Sequence, residues 1–597
     1  MCGIAAATGA GADELVASIV EAMHHRGPDA RGLTVVGSAT IGMTRLAVMD
    51  PQRRSDQPMG RGRFSVVFNG ELYNHAELRR ELEAAGFVFT TCGDTEVLVN
   101  ALVHWGVIAA CQKFSGMFAF VAVDGQTNEV WFARDRFGIK PLYWTLRRGG
   151  IAICSESRHL RSSASGGIDR RALAEFFRFG SPITRSIHQD VFEMEPGTVV
   201  ALQNGQMRQV RYAPAHDFGD RTDVDPALAL RSSIEQHLVA DRDVALWLSG
   251  GFDSAILLAA ARDLGRDVVA LTLSTGMNDA ELARAAATAK HFGVVHEIVA
   301  AGPREVVTAF PEFIDAMDQP SIDGFNTFLM SQATQLRGCA VALSGLGGDE
   351  VLGGYGYYRS RPAFDVAAKV TRMLPSALQR SAVDRLARRL HQPPQRLAAL
   401  LTSHDLESRH AASRTLFGAG EVFKMTGEYC NIAATNDSLS DRLRLARLDF
   451  DRYLRPTLLR DADVFSMACS VELRVPMLDP AFVGAVLGAT APPTKIQLAD
   501  AWDDAYLREL AVAPKLTFSM PWKQWLPGIL AKHENRLSAA EPWGCDVDPN
   551  VARALFSATQ RGEHDSLLRV WAFVVLANWI ERTNRGGSDV VVWRSAA

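Results

Sequence analysis

Two groups of residues in this 597-residue chain carry chemistry in their types and spacing. The first is Leu248-Ser249-Gly250-Gly251-Phe252-Asp253-Ser254. Its glycines let backbone approach a ligand closely, and free N–H groups at the start of a following helix point at an anion. Hydroxyls of Ser249 and Ser254 add donors, and Asp253 can hold a divalent cation beside phosphates. The second is Cys2, which follows Met1. Loss of that methionine would give one residue both a thiol nucleophile and, in its α-amine, the base that activates it. Such an amine titrates near about 7.7–8.0, so a neutral fraction exists at pH 7.

Each group needs elements to hold it. The apolar run 244–247 reads as a buried strand and 255–261 as a helix, which makes the first group a strand–turn–helix junction. Around it, Leu230, Ile234 and Leu238 share a helix face. Then follow a strand at 244–248, a helix at 254–263, a strand at 267–273, a helix at 279–292, a strand at 295–299 and a last strand near 340–343. This alternation predicts a parallel sheet covered by helices, with ligands at the carboxyl ends of the strands. Beyond about residue 360 the pattern is mostly helical. Residues 1 to about 210 read as short alternating strands, such as 63–68, 118–123 and 130–134, with helices over 13–24 and 75–85. The polar stretch from Pro214 to Pro226 reads as the linker.

The totals bound the class. The chain is too long for one core, and 47% apolar with 22% charged residues is the balance of a globular protein. A net charge of −4 gives no pull towards nucleic acid or anionic lipid. Eight cysteines without a C-x-x-C pair predict neither a disulfide framework nor a zinc site, and fit a reducing compartment. No basic leader with an apolar core and no run of about 18 apolar residues is present, so a cytoplasmic enzyme is expected. Arg380, Arg385, Arg388, Arg389 and Arg396 read as a solvated helix face.

The hexapeptide S-G-G-x-D-S lacks the lysine and the longer glycine spacing of the Walker loop. It resembles the pyrophosphate loop of ATP pyrophosphatases, which cleave ATP between the α and β phosphates to make an acyl-adenylate. Met1-Cys2-Gly3-Ile4, His24-His25-Arg26-Gly27-Pro28-Asp29, Asn69-Gly70-Glu71-Leu72-Tyr73-Asn74 and Gly93-Asp94-Thr95-Glu96 resemble the class II glutamine amidotransferases. In this order, from Cys2 to about Trp525, the chain resembles the glutamine-hydrolysing asparagine synthetase family. That resemblance implies an N-terminal-nucleophile αββα sandwich over residues 1–212. It implies a parallel-sheet ATP-pyrophosphatase domain, with a helical C-terminal part, over 226–597.

The resemblance also implies roles. Cys2 would attack the glutamine amide, with Asn69 and Gly70 as oxyanion donors. Arg45 would meet the α-carboxylate of glutamine, and Glu71 and Asp94 its α-ammonium. ATP would lie on Leu248, Ser249, Gly250, Gly251, Asp253, Ser254, Thr275, Ser344 and Gly345, with Mg²⁺ on Asp253 and Asp349. Lys515 would stabilise negative charge at the adenylate. Arg460-Asp461-Ala462-Asp463 and Val471-Glu472-Leu473-Arg474-Val475-Pro476 would form a helix and loop over the cleft, with Arg474 structural. Glutamine, ATP and aspartate are the implied substrates, an ammonia channel would join the two sites, and the family suggests a homodimer.

Three positions depart from the pattern. Leu346 stands where the family carries a glutamate that helps deprotonate ammonia, Phe252 where leucine is usual, and Thr517 where glycine is usual. Leucine cannot accept a proton, so either another base serves or the acceptor chemistry differs. The alternative is therefore an amide- or macrolactam-forming relative, such as a lasso-peptide cyclase, a β-lactam synthetase or an amidotransferase of a natural-product or polysaccharide pathway, acting on another acid or a peptide. A scaffold that merely kept the fold would have lost Ser249, Gly250, Gly251, Asp253 and Asp349, and all five are present.

Overall fold

The computed structural model describes residues 2–585 apart from 165, 214–223, 278, 356, 359–366, 372, 374–382, 384, 387–393, 404, 431–438, 491, 517–519, 531–548 and 562–566. Thr517, Arg380, Arg388, Arg389 and most of the expected linker lie outside the described residues.

The amino-terminal part is two six-stranded antiparallel sheets. The first runs Phe192–Glu193, Tyr143–Arg147, Gly150–Cys154, Cys2–Thr8, Ala39–Arg45, Ala30–Val36. The second runs Gln206–Arg211, Thr198–Gln203, Val130–Arg134, Gly116–Asp124, Phe64–Leu72, Met59–Arg61. Side chains of a strand alternate between faces, and the strand Cys2–Thr8 uses both. Cys2, Ile4 and Ala6 meet Val67, Ala119, Val121 and Phe132 of the other sheet. Ala5 and Ala7 turn outward to Val16, Ile19 and Val20 of the helix Ala12–Ala22. Helices His75–Ala84 and Asp94–Trp105 cover Phe68, Phe118 and Phe120 on the far side. The result is the expected αββα sandwich.

The carboxyl-terminal part holds a five-stranded parallel sheet in the order His296–Ala300, Val269–Ser274, Val244–Trp247, Val341–Leu343, Glu472–Arg474. Helices such as Phe252–Asp263 and Asp279–Phe292 cover one face, and Pro303–Ala316 and Phe325–Leu336 cover the other. Two sequence expectations are corrected. The helix after the glycine turn begins at Phe252, two residues early, with Gly251 as its cap. The strand near 340–343 is not the last: Glu472–Arg474, read as part of a loop over the cleft, pairs with it in parallel. A three-residue strand with charged ends lacks any apolar run to announce it. Among the described residues no helix is long and apolar enough to cross a membrane.

The two parts meet through buried charges. Arg26, fully buried, donates from Nε to the Cys2 carbonyl at 3.2 Å and from Nη2 to Asp463 Oδ2 at 2.8 Å. Lys140 Nζ lies 3.4 Å from the other Asp463 oxygen, and burial pulls its pKa down. Removing one partner of a buried ionic group costs about 3–5 kcal/mol, because the other charge is stranded. Asp463→Asn is therefore expected to destabilise the protein by about 3 kcal/mol in chemical denaturation, the low end of that range, since Lys140 can shed its proton. An unchanged denaturation midpoint would contradict this account of the interface.

Candidate active sites

The first site lies at the edge where the two antiparallel sheets meet. Cys2 pairs with Arg45 across neighbouring strands, which sets both at one end of the sandwich. The Cys2 N–H donates to Asn69 Oδ1 at 3.1 Å. Among the described residues Asn69 Nδ2 is buried without a hydrogen-bond partner, a donor held ready beside Cys2. Gly70 sits at φ 144, and a Cβ there would fall 2.0 Å from the Met117 carbonyl oxygen, so only glycine fits. Cys2, Arg45, Gly70, Glu71 and Asp94 line one cavity together with Gln57 and Thr95, which the sequence reading missed.

Electrostatics in this cavity favour a cationic guest. Burial first, then the neighbouring Asp94 and Glu472 charges, push the Glu71 carboxyl well above its usual range. Burial raises Asp94 too, opposed by the Leu72 N–H that donates to it at 2.9 Å. Two adjacent buried carboxylates need a cation, and an α-ammonium supplies one. Acidification reverses this: protons compete with the ammonium above the ordinary carboxylate range. The KM for glutamine is thus expected to rise as pH falls, at pH values where an exposed carboxylate would still be ionised. Flat KM over that window would contradict it. Burial also raises the Cys2 thiol, with the Arg45 charge opposing, so the resting residue is a thiol rather than a thiolate.

Arg45 is placed differently from a free anchor. Its Nη1 donates to the Gln52 carbonyl and to Asp56 Oδ1, and its Nη2 to the carbonyls of Met49 and Asp50. In this state the guanidinium ties down the segment that roofs the cavity.

The second site lies at the carboxyl edge of the parallel sheet. Ser254 Oγ accepts from the Ser249 N–H at 3.1 Å and donates to the Ser249 carbonyl at 2.9 Å, which closes the turn on itself. Among the described residues no side chain caps the helix Phe252–Asp263, so its first N–H groups remain for an anion. The segment Ser344–Asp349 lies against this turn: a Cβ on Gly348 would come within 2.9 Å of Asp253 Cγ. Leu248 is fixed by backbone bonds, its N–H to Leu271 and its carbonyl to Thr272 Oγ1. Ser344 donates its N–H to the Arg474 carbonyl, and Thr275 is buried just past its strand.

Asp253 and Asp349 come together, Lys495 bridges them, and Lys515 meets Asp349. Lys495 Nζ stands 2.8 Å from Asp253 Oδ2 and 3.5 Å from Asp349 Oδ1. Lys515 Nζ stands 2.5 Å from Asp349 Oδ2. Lys495, at the start of the helix Lys495–Asp500, was not legible in the sequence, since nothing local marks it. Arg474 is the expected brace: Nε donates to Glu472 and Nη1 to the carbonyls of His237 and Val239, while Nη2 reaches 3.7 Å from Glu71. It thereby touches the first site as well.

Both halves of the chain have known relatives. Residues 1–213 match the glutamine amidotransferase domain family, and residues 227–581 match the asparagine synthase family. A Mycobacterium tuberculosis protein provisionally named asparagine synthetase [glutamine-hydrolyzing] is 30% identical over 97% of this chain and 95% of its own. Asparagine synthetase [glutamine-hydrolyzing] 1 of Bacillus subtilis is 26% identical over 95% of this chain and 93% of its own. The chicken (Gallus gallus) asparagine synthetase [glutamine-hydrolyzing] is 29% identical over 63% of this chain and 70% of its own. The chain belongs to the asparagine synthase family, as a glutamine-hydrolysing, ATP-dependent ligase with a glutamine amidotransferase domain at its amino end.

Proposed function

We propose that this chain makes L-asparagine from L-aspartate, ATP and glutamine, with a glutaminase unit over residues 1–212 and a synthetase unit over 226–597. The observation that carries the glutaminase half is the buried, unpartnered Asn69 Nδ2 beside Cys2. Cys2 Sγ attacks the glutamine amide carbon, and its proton passes to its own α-amine once Met1 is gone. The oxyanion is held by Asn69 Nδ2 and the Gly70 N–H, ammonia leaves, and water releases glutamate from the thioester. Loss of one such donor costs roughly 10²–10³ in rate. Asn69→Ala is accordingly expected to lower kcat for glutamine hydrolysis by about 10²-fold per folded molecule. An undiminished kcat would remove Asn69 from the mechanism.

At the second centre the acid's carboxylate attacks the α-phosphate of ATP, pyrophosphate leaves, and ammonia displaces AMP. Lys495 and Lys515 neutralise charge as it develops on the phosphates. Asp253 and Asp349 fit Mg²⁺, since Mg²⁺ takes one or two carboxylates plus substrate phosphates. The lysine ammonium groups standing on these carboxylates are stand-in cations for that position. When bound, the ion would shield the pyrophosphate leaving group. Ammonia would travel inside the protein between the two centres.

Leu346 favours a second reading, in which the same machinery activates another carboxylic acid or a peptide acid. The two separate by pyrophosphate release with ATP and Mg²⁺ across a panel of acids, with glutamine or ammonium as donor. Release that depends on aspartate, with asparagine formed, supports the first reading. Release only with another acid supports the second. Release with neither, alongside full glutamine hydrolysis, overturns the synthetase assignment. Chelation by EDTA is expected to stop pyrophosphate release and leave glutamate formation running.

A further inference from the structure

The segment that roofs the cavity at Cys2 is held from both halves of the chain. Leu46, Val48, Met49, Ser55 and Gln57 line that cavity. Between them the chain turns at Asp50, a buried residue at φ 42. A left-handed conformation is unfavourable for a residue with a Cβ and persists where the surroundings fix it. Asp50 is fixed at each of its polar groups. Its carbonyl accepts from Arg45 Nη2 at 2.7 Å. Its Oδ2 accepts from the Ser55 hydroxyl and the Cys92 N–H, each at 2.8 Å, with Arg54 Nε at 3.1 Å. Its N–H donates at 2.8 Å to Asp241 Oδ2, and the Asp241 N–H donates in return to the Val48 carbonyl at 2.9 Å.

Asp241 belongs to the other half. It lies between the helix Pro226–His237 and the strand Val244–Trp247, which leads into the Ser249 turn. The stretch that carries it is braced in its turn, because Arg474 Nη1 donates to the carbonyls of His237 and Val239 at 2.6 and 2.7 Å. Glutamine makes this tie matter. An α-carboxylate arriving at Arg45 competes for the Nη1 and Nη2 donors that now hold the Met49, Asp50 and Gln52 carbonyls. The roof then loses its hold on the first half at the moment it must stay in place. The bond from the Asp50 N–H to Asp241 meets no such competition, and a buried N–H without an acceptor is costly.

We propose that Asp241 is a positioning residue for glutamine: a carboxylate of the carboxyl-terminal half that holds the Asp50 turn, and with it the roof of the Cys2 cavity, in the binding geometry. This rests on the reading of that cavity as the glutamine site. It makes the site a product of both halves, with the groups that touch glutamine in the first and the tie that fixes their roof in the second. Asp241 is itself exposed, so replacing it strands no buried charge.

The test uses the full-length protein and follows glutamate formation from glutamine. Asp241→Ala should raise KM for glutamine about 10-fold, the scale of a lost hydrogen bond to a charged group, with kcat within about 2-fold. Asp241→Asn keeps an oxygen for the same N–H and should bring KM back to within about 3-fold of the unaltered protein. KM does not depend on the fraction of the preparation that is folded. The roof is read separately through alkylation of Cys2 by iodoacetamide, followed by the mass of its peptide. Cys2 is 5% exposed, and a looser roof in Asp241→Ala should speed that reaction about 5-fold. An unchanged KM in Asp241→Ala overturns the assignment, as does an unchanged alkylation rate or a KM in Asp241→Asn as high as in the alanine variant. If Cys2→Ala hydrolyses glutamine as fast as the unaltered protein, the glutamine reading of the cavity fails and this inference falls with it.

Discussion

Cys2→Ala is expected to abolish glutamine-dependent synthesis, by about 10⁴-fold or more, while pyrophosphate release driven by ammonium continues. The size of the effect follows from what remains. Without sulfur there is no covalent step, and the Asn69 and Gly70 donors stabilise an oxyanion that water alone forms slowly. The environment adds a second argument. Cys2 is nearly inaccessible and its thiol is pushed up by burial, so no standing thiolate exists at neutral pH. A base must take the proton, and once Met1 is gone the residue's own α-amine, placed 3.1 Å from Asn69 Oδ1, is the base at hand. Retention of ammonium-driven activity matters as much as the loss. Arg26 carries the Cys2 carbonyl to Asp463, so a change that collapsed the first site could disturb the second. Alanine removes only the sulfur and leaves that carbonyl in place.

Lys515→Met is expected to slow pyrophosphate formation by about 10²–10³-fold, with glutamine hydrolysis measured without ATP largely retained. The lysine side chain is 40% exposed and its ammonium meets Asp349 at 2.5 Å. An exposed pair of that kind adds little to stability, so methionine should leave the thermal midpoint close to that of the unaltered protein. Its catalytic value is different in kind. Charge that develops on the α-phosphate is best stabilised by a cation already in place, which needs no reorganisation during the step. Lys495, the more buried partner, covers part of the loss and keeps the expected effect below total inactivation. An unchanged rate would assign Lys515 to the surface.

The two centres differ in how much of each was legible in the sequence. The turn at 249–254 was readable because its signals are local: a strand, paired glycines, a serine and a helix within a dozen residues. The sandwich was readable through its motifs far more than through periodicity. The strand Cys2–Thr8 is buried on both faces, so it shows no polar alternation, whereas the edge strand Ala30–Val36 alternates along its whole length. What escaped was whatever depends on chain separation. Lys495 lies 242 residues from Asp253. The strand Glu472–Arg474 is too short to carry a pattern, yet it closes the sheet edge against which Ser344 is fixed. Arg26 reads as a motif residue of the first site, and only the fold reveals that it also spans to Asp463.

The central claim is that the nitrogen released at Cys2 is the nitrogen delivered to the adenylate, inside one protein. Glutamine labelled with ¹⁵N in its amide, supplied with an equal concentration of unlabelled ammonium, tests it directly. Mass analysis of the amide product should find it almost wholly labelled, because released ammonia reaches the second centre before it meets solvent. A product whose label is diluted to the composition of the bulk ammonium pool would contradict the account.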